Sequence, residues 1–60
     1  MKLREFYEKS YGIKYFYIWY KGIQYIGRPN VPDELWDKTI EELEFNEING
    51  KISCEIELVD

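Results

Sequence analysis

The sequence contains no histidine, one cysteine and only four glycines among its 60 residues. Without histidine, the commonest general base and a common zinc ligand are missing, which argues against acid–base catalysis and zinc binding. The single thiol, Cys54, excludes an internal disulfide and favours the cytoplasm. The glycines stand singly, so no glycine-rich phosphate loop is present. We therefore expect no enzyme, no cofactor and no bound metal.

Long apolar segments are also missing. No run approaches the roughly 18 apolar residues that span a bilayer. No apolar stretch follows the charged residues Lys2 and Arg4, as it would in a signal peptide. We expect no membrane association and a cytoplasmic location. The chain is predicted to form one small domain, residues 1–60, of a size that buries only about 60% of its unfolded surface.

Aromatic side chains, in contrast, are abundant, since 18% of the residues are Phe, Trp or Tyr. Residues 15–20 read Tyr-Phe-Tyr-Ile-Trp-Tyr. Because neighbouring side chains in a strand point to opposite faces of the sheet, this run places large apolar groups on both faces. A half-buried strand needs them on one face only. Something must therefore cover the second face: another element of the chain, a second copy or a ligand.

Local patterns predict an α+β domain. Apolar residues with helical spacing run from Leu3 to Tyr11, and Pro32 suits the first turn of a second, short helix. The four β-rich segments are expected to form one antiparallel sheet of two hairpins, with one helix before them and one between them. The predicted elements are a helix over 2–11, strands over 14–20 and 23–28, a short helix over 32–40, and strands over 42–48 and 51–58.

The first hairpin is predicted at Lys21-Gly22, a weaker turn signal than Asn-Gly. A two-residue turn and a bulged three-residue turn both remain open, and they place the second strand's side chains on opposite faces. Either turn leaves aromatic side chains on both faces of the hairpin. With the two-residue turn, one face holds Phe16, Ile18, Tyr20, Ile23 and Tyr25, and the other holds Tyr15, Tyr17, Trp19, Gln24, Ile26 and Arg28.

The second hairpin is predicted at Asn49-Gly50, the clearest turn signal in the chain. Its register places Phe45 opposite Cys54, and this register gathers the apolar residues on one face. A competing interpretation makes residues 41–48 an extension of the preceding helix, and we prefer the hairpin. The apolar face holds Leu43, Phe45, Ile52, Cys54, Ile56 and Leu58.

The same register predicts an acidic face. Glu44 falls opposite Glu55 and Glu42 opposite Glu57, although like charges across a ladder destabilise it by tenths of a kcal/mol. A calcium site is disfavoured, because the glutamates lack the loop geometry of known calcium sites. We prefer a solvated edge that prevents aggregation. The third interpretation is a docking site for a basic surface, either the cationic N-terminal helix of this chain or another protein. The last is consistent with the charge distribution. Residues 1–28 carry six basic and two acidic side chains, whereas residues 29–60 carry two basic and ten acidic ones.

The candidate contact patch consists of Tyr15, Tyr17, Trp19 and Arg28, residue types that are common at protein interfaces. In one interpretation a helix covers each face of the sheet and these residues belong to the core. In the second they bind a protein partner or a second copy in a homodimer. In the third they stack on single-stranded nucleic acid, which the net charge of −4 disfavours.

We therefore predict a small non-enzymatic binding or regulatory protein that acts through protein–protein contact. The alternatives are a single-stranded nucleic-acid binder and a structural domain with all its aromatics in the core. By analogy of size and composition alone, the chain is similar to the short acidic proteins with which phages and other mobile elements regulate host proteins.

Overall fold

The computed structural model describes all 60 residues. The chain begins with one helix, α1 (Leu3–Glu8), and continues with four strands. Two short 3₁₀ turns, Arg28–Asn30 and Asp33–Asp37, connect the second strand to the third. The strands are β1 (Ile13–Tyr20), β2 (Ile23–Ile26), β3 (Thr39–Ile48) and β4 (Lys51–Val59).

The four strands form one sheet in the order β2-β1-β4-β3. The two outer pairs, β1/β2 and β3/β4, are antiparallel hairpins as predicted. The central pair is parallel, because β1 runs alongside β4 in the same direction. The sheet is therefore mixed, and the prediction of a purely antiparallel sheet is wrong.

The segment between the hairpins explains the parallel pair. Residues 27–38 lead from β2 at one edge of the sheet to β3 at the other edge. Strands β2 and β3 run in the same direction, so their connection must cross one face of the sheet, which takes about a dozen residues. As a result β4, the hairpin partner of β3, runs parallel to β1. Val31 and Leu35 are buried against the sheet and hold the crossover on one face.

Both predicted turns are confirmed. Tyr20 pairs with Ile23, so the first turn has two residues, and Ile48 pairs with Lys51 in the same way. The central residues of each turn have positive φ, as the turns of tight hairpins require. Strand β3 is continuous through residues 41–48, apart from an irregularity near its start, and this excludes the helix extension.

The helices are shorter than predicted. Helix α1 ends at Glu8 rather than at residue 11, because the amides of Lys9 and Ser10 already bond three residues back and the Ser10 hydroxyl donates to the carbonyl of Phe6 at 2.6 Å. Tyr11 projects into solvent. The helix predicted over 32–40 is a 3₁₀ turn over Asp33–Asp37, and the residues after it enter β3.

The core lies on one face of the sheet only. Phe16 and Ile18 of β1 pack with Cys54, Ile56 and Leu58 of β4, and the cover consists of α1 and the crossover. The rings of Phe6 and Tyr7 from α1 lie 6.5 and 4.7 Å from that of Phe16. Because both helical segments cover this same face, the interpretation with one helix on each face is wrong.

Cys54 is expected to resist alkylation in the folded protein. Burial raises the pKa of its thiol to about 11, with a smaller contribution from the Glu55 carboxylate. Since the folded chain holds this proton more tightly than the unfolded chain, the stability linked to the group is lost as pH rises from about 9 towards 11. At pH 8, iodoacetamide should modify the native protein about 100-fold more slowly than the urea-unfolded chain, as followed by mass spectrometry. Equal rates would contradict a buried Cys54.

Candidate functional site

The face of the sheet opposite α1, which we call the open face, carries exposed aromatic side chains. Tyr15, Tyr17 and Trp19 follow one another along β1 on this face and form what we call the aromatic column. Tyr15 is 39% exposed and Trp19 37% exposed, while Tyr17 is half-buried. Ile26 of β2 lies beside Tyr17 and is also exposed. No element of the chain covers these side chains.

Four glutamates lie beside the aromatic column on the same face. The parallel register places Glu55 next to Tyr17 and Glu57 next to Trp19. The β3/β4 hairpin then places Glu44 next to Glu55 and Glu42 next to Glu57, as the Asn-Gly register predicts. The result is two rows across the sheet, each an aromatic ring followed by two carboxylates. We call Glu42, Glu44, Glu55 and Glu57 the glutamate cluster.

The glutamate cluster has no cation of its own. The three ion pairs of the molecule join Arg4 to Asp37 and both Lys21 and Lys38 to Asp60. Lys21 is the basic residue closest in sequence to Trp19, but its ammonium lies 3.8 Å from the Asp60 carboxylate. The cluster therefore forms no ion pair within the chain, although Lys21 lines the cavity beside it.

A shallow cavity of about 270 Å³ connects the aromatic column to the glutamate cluster. Its lining combines one large aromatic ring with carboxylates. Such a lining suits a lysine or arginine side chain, because the face of an indole attracts cations and carboxylates accept charge-assisted hydrogen bonds from them. The lining residues are Trp19, Lys21, Gly22, Glu42, Leu43, Glu44, Glu55, Ile56 and Glu57.

Arg28 does not join the aromatic column. Its guanidinium carbon lies 5.3 Å from the centre of the Tyr7 ring and 6.0 Å from that of Trp36, on the side of the sheet that carries α1. Strand β2 ends at Ile26 rather than at residue 28, because Gly27 adopts a φ of 83° and the chain leaves the sheet there. Of the four predicted contact residues, the structure brings together the three aromatic ones.

The interpretation of the glutamate cluster as a calcium site lacks geometric support. No group of three or more Asp, Glu, Cys or His side chains converges closely enough to hold a metal ion. The carboxylates of the cluster follow the strands as a surface and do not enclose a point.

None of the helices has the length and apolar character needed to cross a membrane.

Neither family models, curated proteins nor solved structures give a significant match to this chain. Function is therefore inferred from the open face itself. Sequence reasoning identified the aromatic column and the glutamate cluster separately but missed that they adjoin, because their contact requires the parallel β1/β4 pair.

Proposed function

We propose that the chain is a small, non-enzymatic cytoplasmic protein that binds another protein through the open face. One observation carries the proposal: Tyr15 and Trp19 of the aromatic column are exposed, and the column lies directly beside four carboxylates that form no ion pair within the chain. Exposed tyrosine and tryptophan are the residue types that dominate the binding energy at protein interfaces. On the open face these residues project from a sheet whose opposite face packs against the core.

The charge of the open face favours a basic partner. Lysine and arginine side chains of such a partner would lie against Trp19 and Tyr17 and pair with the adjacent carboxylates. A second copy of the chain is a poorer occupant, because two open faces brought together would place one glutamate cluster near another. Binding of the open face to a different surface of another copy would be head-to-tail, an arrangement that gives rings or filaments rather than a two-fold dimer.

Single-stranded nucleic acid is also a poorer occupant. Bases stack well on exposed aromatic rings, but the phosphates between the bases would pass over the glutamate cluster. Phosphate contacts supply most of the affinity in such complexes. Arg28, the one basic residue of the predicted patch, lies on the other side of the sheet.

The proposal is tested by replacing Trp19 with alanine. A partner is captured on the immobilised wild-type chain, identified, purified and titrated calorimetrically against each variant. Trp19→Ala should weaken binding by about 30-fold, the effect of removing an interface hot spot of about 2 kcal/mol. Tyr11→Ala is the matched control, since Tyr11 is an aromatic residue that is 91% exposed and lies outside the sheet. Its affinity should equal that of the wild type.

Three results would contradict the proposal. The first is a chain that captures no partner, and the second is a partner that binds Trp19→Ala and wild type equally well. The third is a dimer, detected by sedimentation velocity across a concentration series and dissociated by Trp19→Ala, which would identify a second copy as the occupant. Affinity for oligo(dT) that falls steeply with salt would favour the nucleic-acid alternative instead.

A further inference from the structure

Strand β3 has an unpaired edge. It is the last strand of the sheet, and its residues 41–48 are all exposed. In a hairpin closed by a two-residue turn, the residues that flank the turn, here Ile48 and Lys51, bond to each other. Because bonded and non-bonded pairs alternate along an antiparallel ladder, Leu43, Phe45 and Glu47 direct their N–H and C=O groups away from β4. These groups are free to pair with another strand.

The chain itself already pairs with the first part of this edge. The amide of Ile40 donates to the carbonyl of Met1 at 2.8 Å, and the amide of Leu3 donates to the carbonyl of Lys38 at 3.0 Å. Lys2 and Thr39 form an antiparallel bridge between these two bonds. This pairing of residues 1–3 with β3 ends there because α1 begins at Leu3. The edge thus accepts an antiparallel strand at its start and is left open beyond it.

The side chains along the open part of the edge differ on its two sides. Leu43 and Phe45 lie on the side of the core, but both are exposed, Phe45 by 56%. Glu42 and Glu44 lie on the open face. Over residues 42–45, a strand added at this edge would therefore have every second side chain against apolar groups and the alternate ones against carboxylates, whereas Glu47 follows on the core side and Asn46 on the open face.

We propose that the free edge of β3 binds an extended segment of another protein as a fifth strand, and that apolar residues alternate with lysine or arginine in this segment. The apolar residues would cover Leu43 and Phe45, and the cations would pair with Glu42 and Glu44. Charge argues against a second copy of β3 as the added strand, because β3 contains four glutamates and no basic residue. This edge shares Glu42 and Glu44 with the glutamate cluster but does not use the aromatic column, and the inference holds whether or not the open face binds a partner.

A short synthetic peptide of alternating valine and lysine tests the inference on the intact chain. In an NMR titration, the peptide should bind and should slow hydrogen exchange at the amides of Leu43, Phe45 and Glu47, which are the groups that gain partners. The double variant Glu42→Gln/Glu44→Gln should weaken binding a few-fold per charge, as expected for exposed ion pairs. Glu34→Gln is the matched control, because Glu34 lies in the second 3₁₀ turn.

A second peptide distinguishes binding through backbone hydrogen bonds from binding through charge attraction alone. N-methylation of alternate peptide amides removes the donors to β3 and should weaken binding by about tenfold or more, whereas a purely electrostatic contact would be unaffected. Equal binding of the two peptides overturns the inference. Absence of binding by the first peptide also overturns it and leaves the glutamates as a device against edge pairing. Trp19→Ala should leave peptide affinity unchanged, so failure here is distinguishable from failure of the open face.

Discussion

Replacement of Ile56 by alanine is expected to remove a large fraction of the stability of this domain. Ile56 is fully buried at the centre of the sheet, between Ile18 of β1 and Leu43 of β3. Truncation of a buried isoleucine costs about 2–5 kcal/mol through lost burial and the cavity that remains. A domain of 60 residues has a total stability of about 3–9 kcal/mol. The loss is therefore of the same order as the whole free energy of unfolding.

Urea unfolding followed by far-ultraviolet circular dichroism measures this effect. Ile52→Ala is the matched control, since Ile52 belongs to the same strand and shares the apolar face but is exposed near the hairpin turn. Its loss of stability should be smaller, under about 1.5 kcal/mol, because Ile52 stays 39% exposed on folding and its truncation leaves no enclosed cavity. If both variants lost equal stability, β4 would not be the centre of the core.

Replacement of Phe16 by alanine is expected to destabilise the chain by about 3–5 kcal/mol, whereas Trp19→Ala should cost less than half as much. The two aromatic residues belong to the same strand but face opposite sides of the sheet. Phe16 is buried beneath the rings of Phe6 and Tyr7. Trp19 has the larger ring and still contacts solvent on the open face.

Thermal and urea unfolding of the two variants test this difference directly. A folded Trp19→Ala with a small loss of stability is also what the binding experiment on the open face requires. If Trp19→Ala instead unfolded as completely as Phe16→Ala, the aromatic column would belong to the core. The surface proposed for partner binding would then not exist.

Elements set by short-range chemistry were predictable from the sequence. Asn49-Gly50 determined both a turn and a register, because only a few residue pairs tolerate two successive positive φ values. The register of β3 against β4 followed from the turn, and with it the pairing of Glu44 with Glu55. The ends of the helices were harder to predict from the sequence. The hydroxyl of Ser10 bonds to the backbone and competes with continuation of α1, and such competition leaves no periodic pattern in the sequence.

The relation between the two hairpins was not predictable from local patterns. Each turn specifies its own two strands but does not determine which strand of one hairpin meets which strand of the other. The crossover over residues 27–38 determines which strands meet, because Val31 and Leu35 are buried and hold it against one face of the sheet. One signal was present, since a continuous apolar run such as residues 15–20 is typical of a strand with parallel neighbours.

In the candidate site, too, the features set by local patterns were predictable and those set by the relation between the hairpins were not. The composition of the aromatic column and of the glutamate cluster followed from strand alternation. Their contact followed from the β1/β4 pair and was missed with it. The position of Arg28 depended on a single backbone angle at Gly27, which directs the chain out of β2 before the arginine.

The central position of β4 also has a consequence for how the chain folds during synthesis. Strand β1 is made early, and its only available neighbour is then β2, four residues long. Its other neighbour consists of residues 51–59, so the aromatic run has one unpaired edge until those residues have left the ribosome. Pairs of such large sequence separation form slowly because loop closure precedes them. This part of the nascent chain is therefore most vulnerable to aggregation just before β4 joins the sheet.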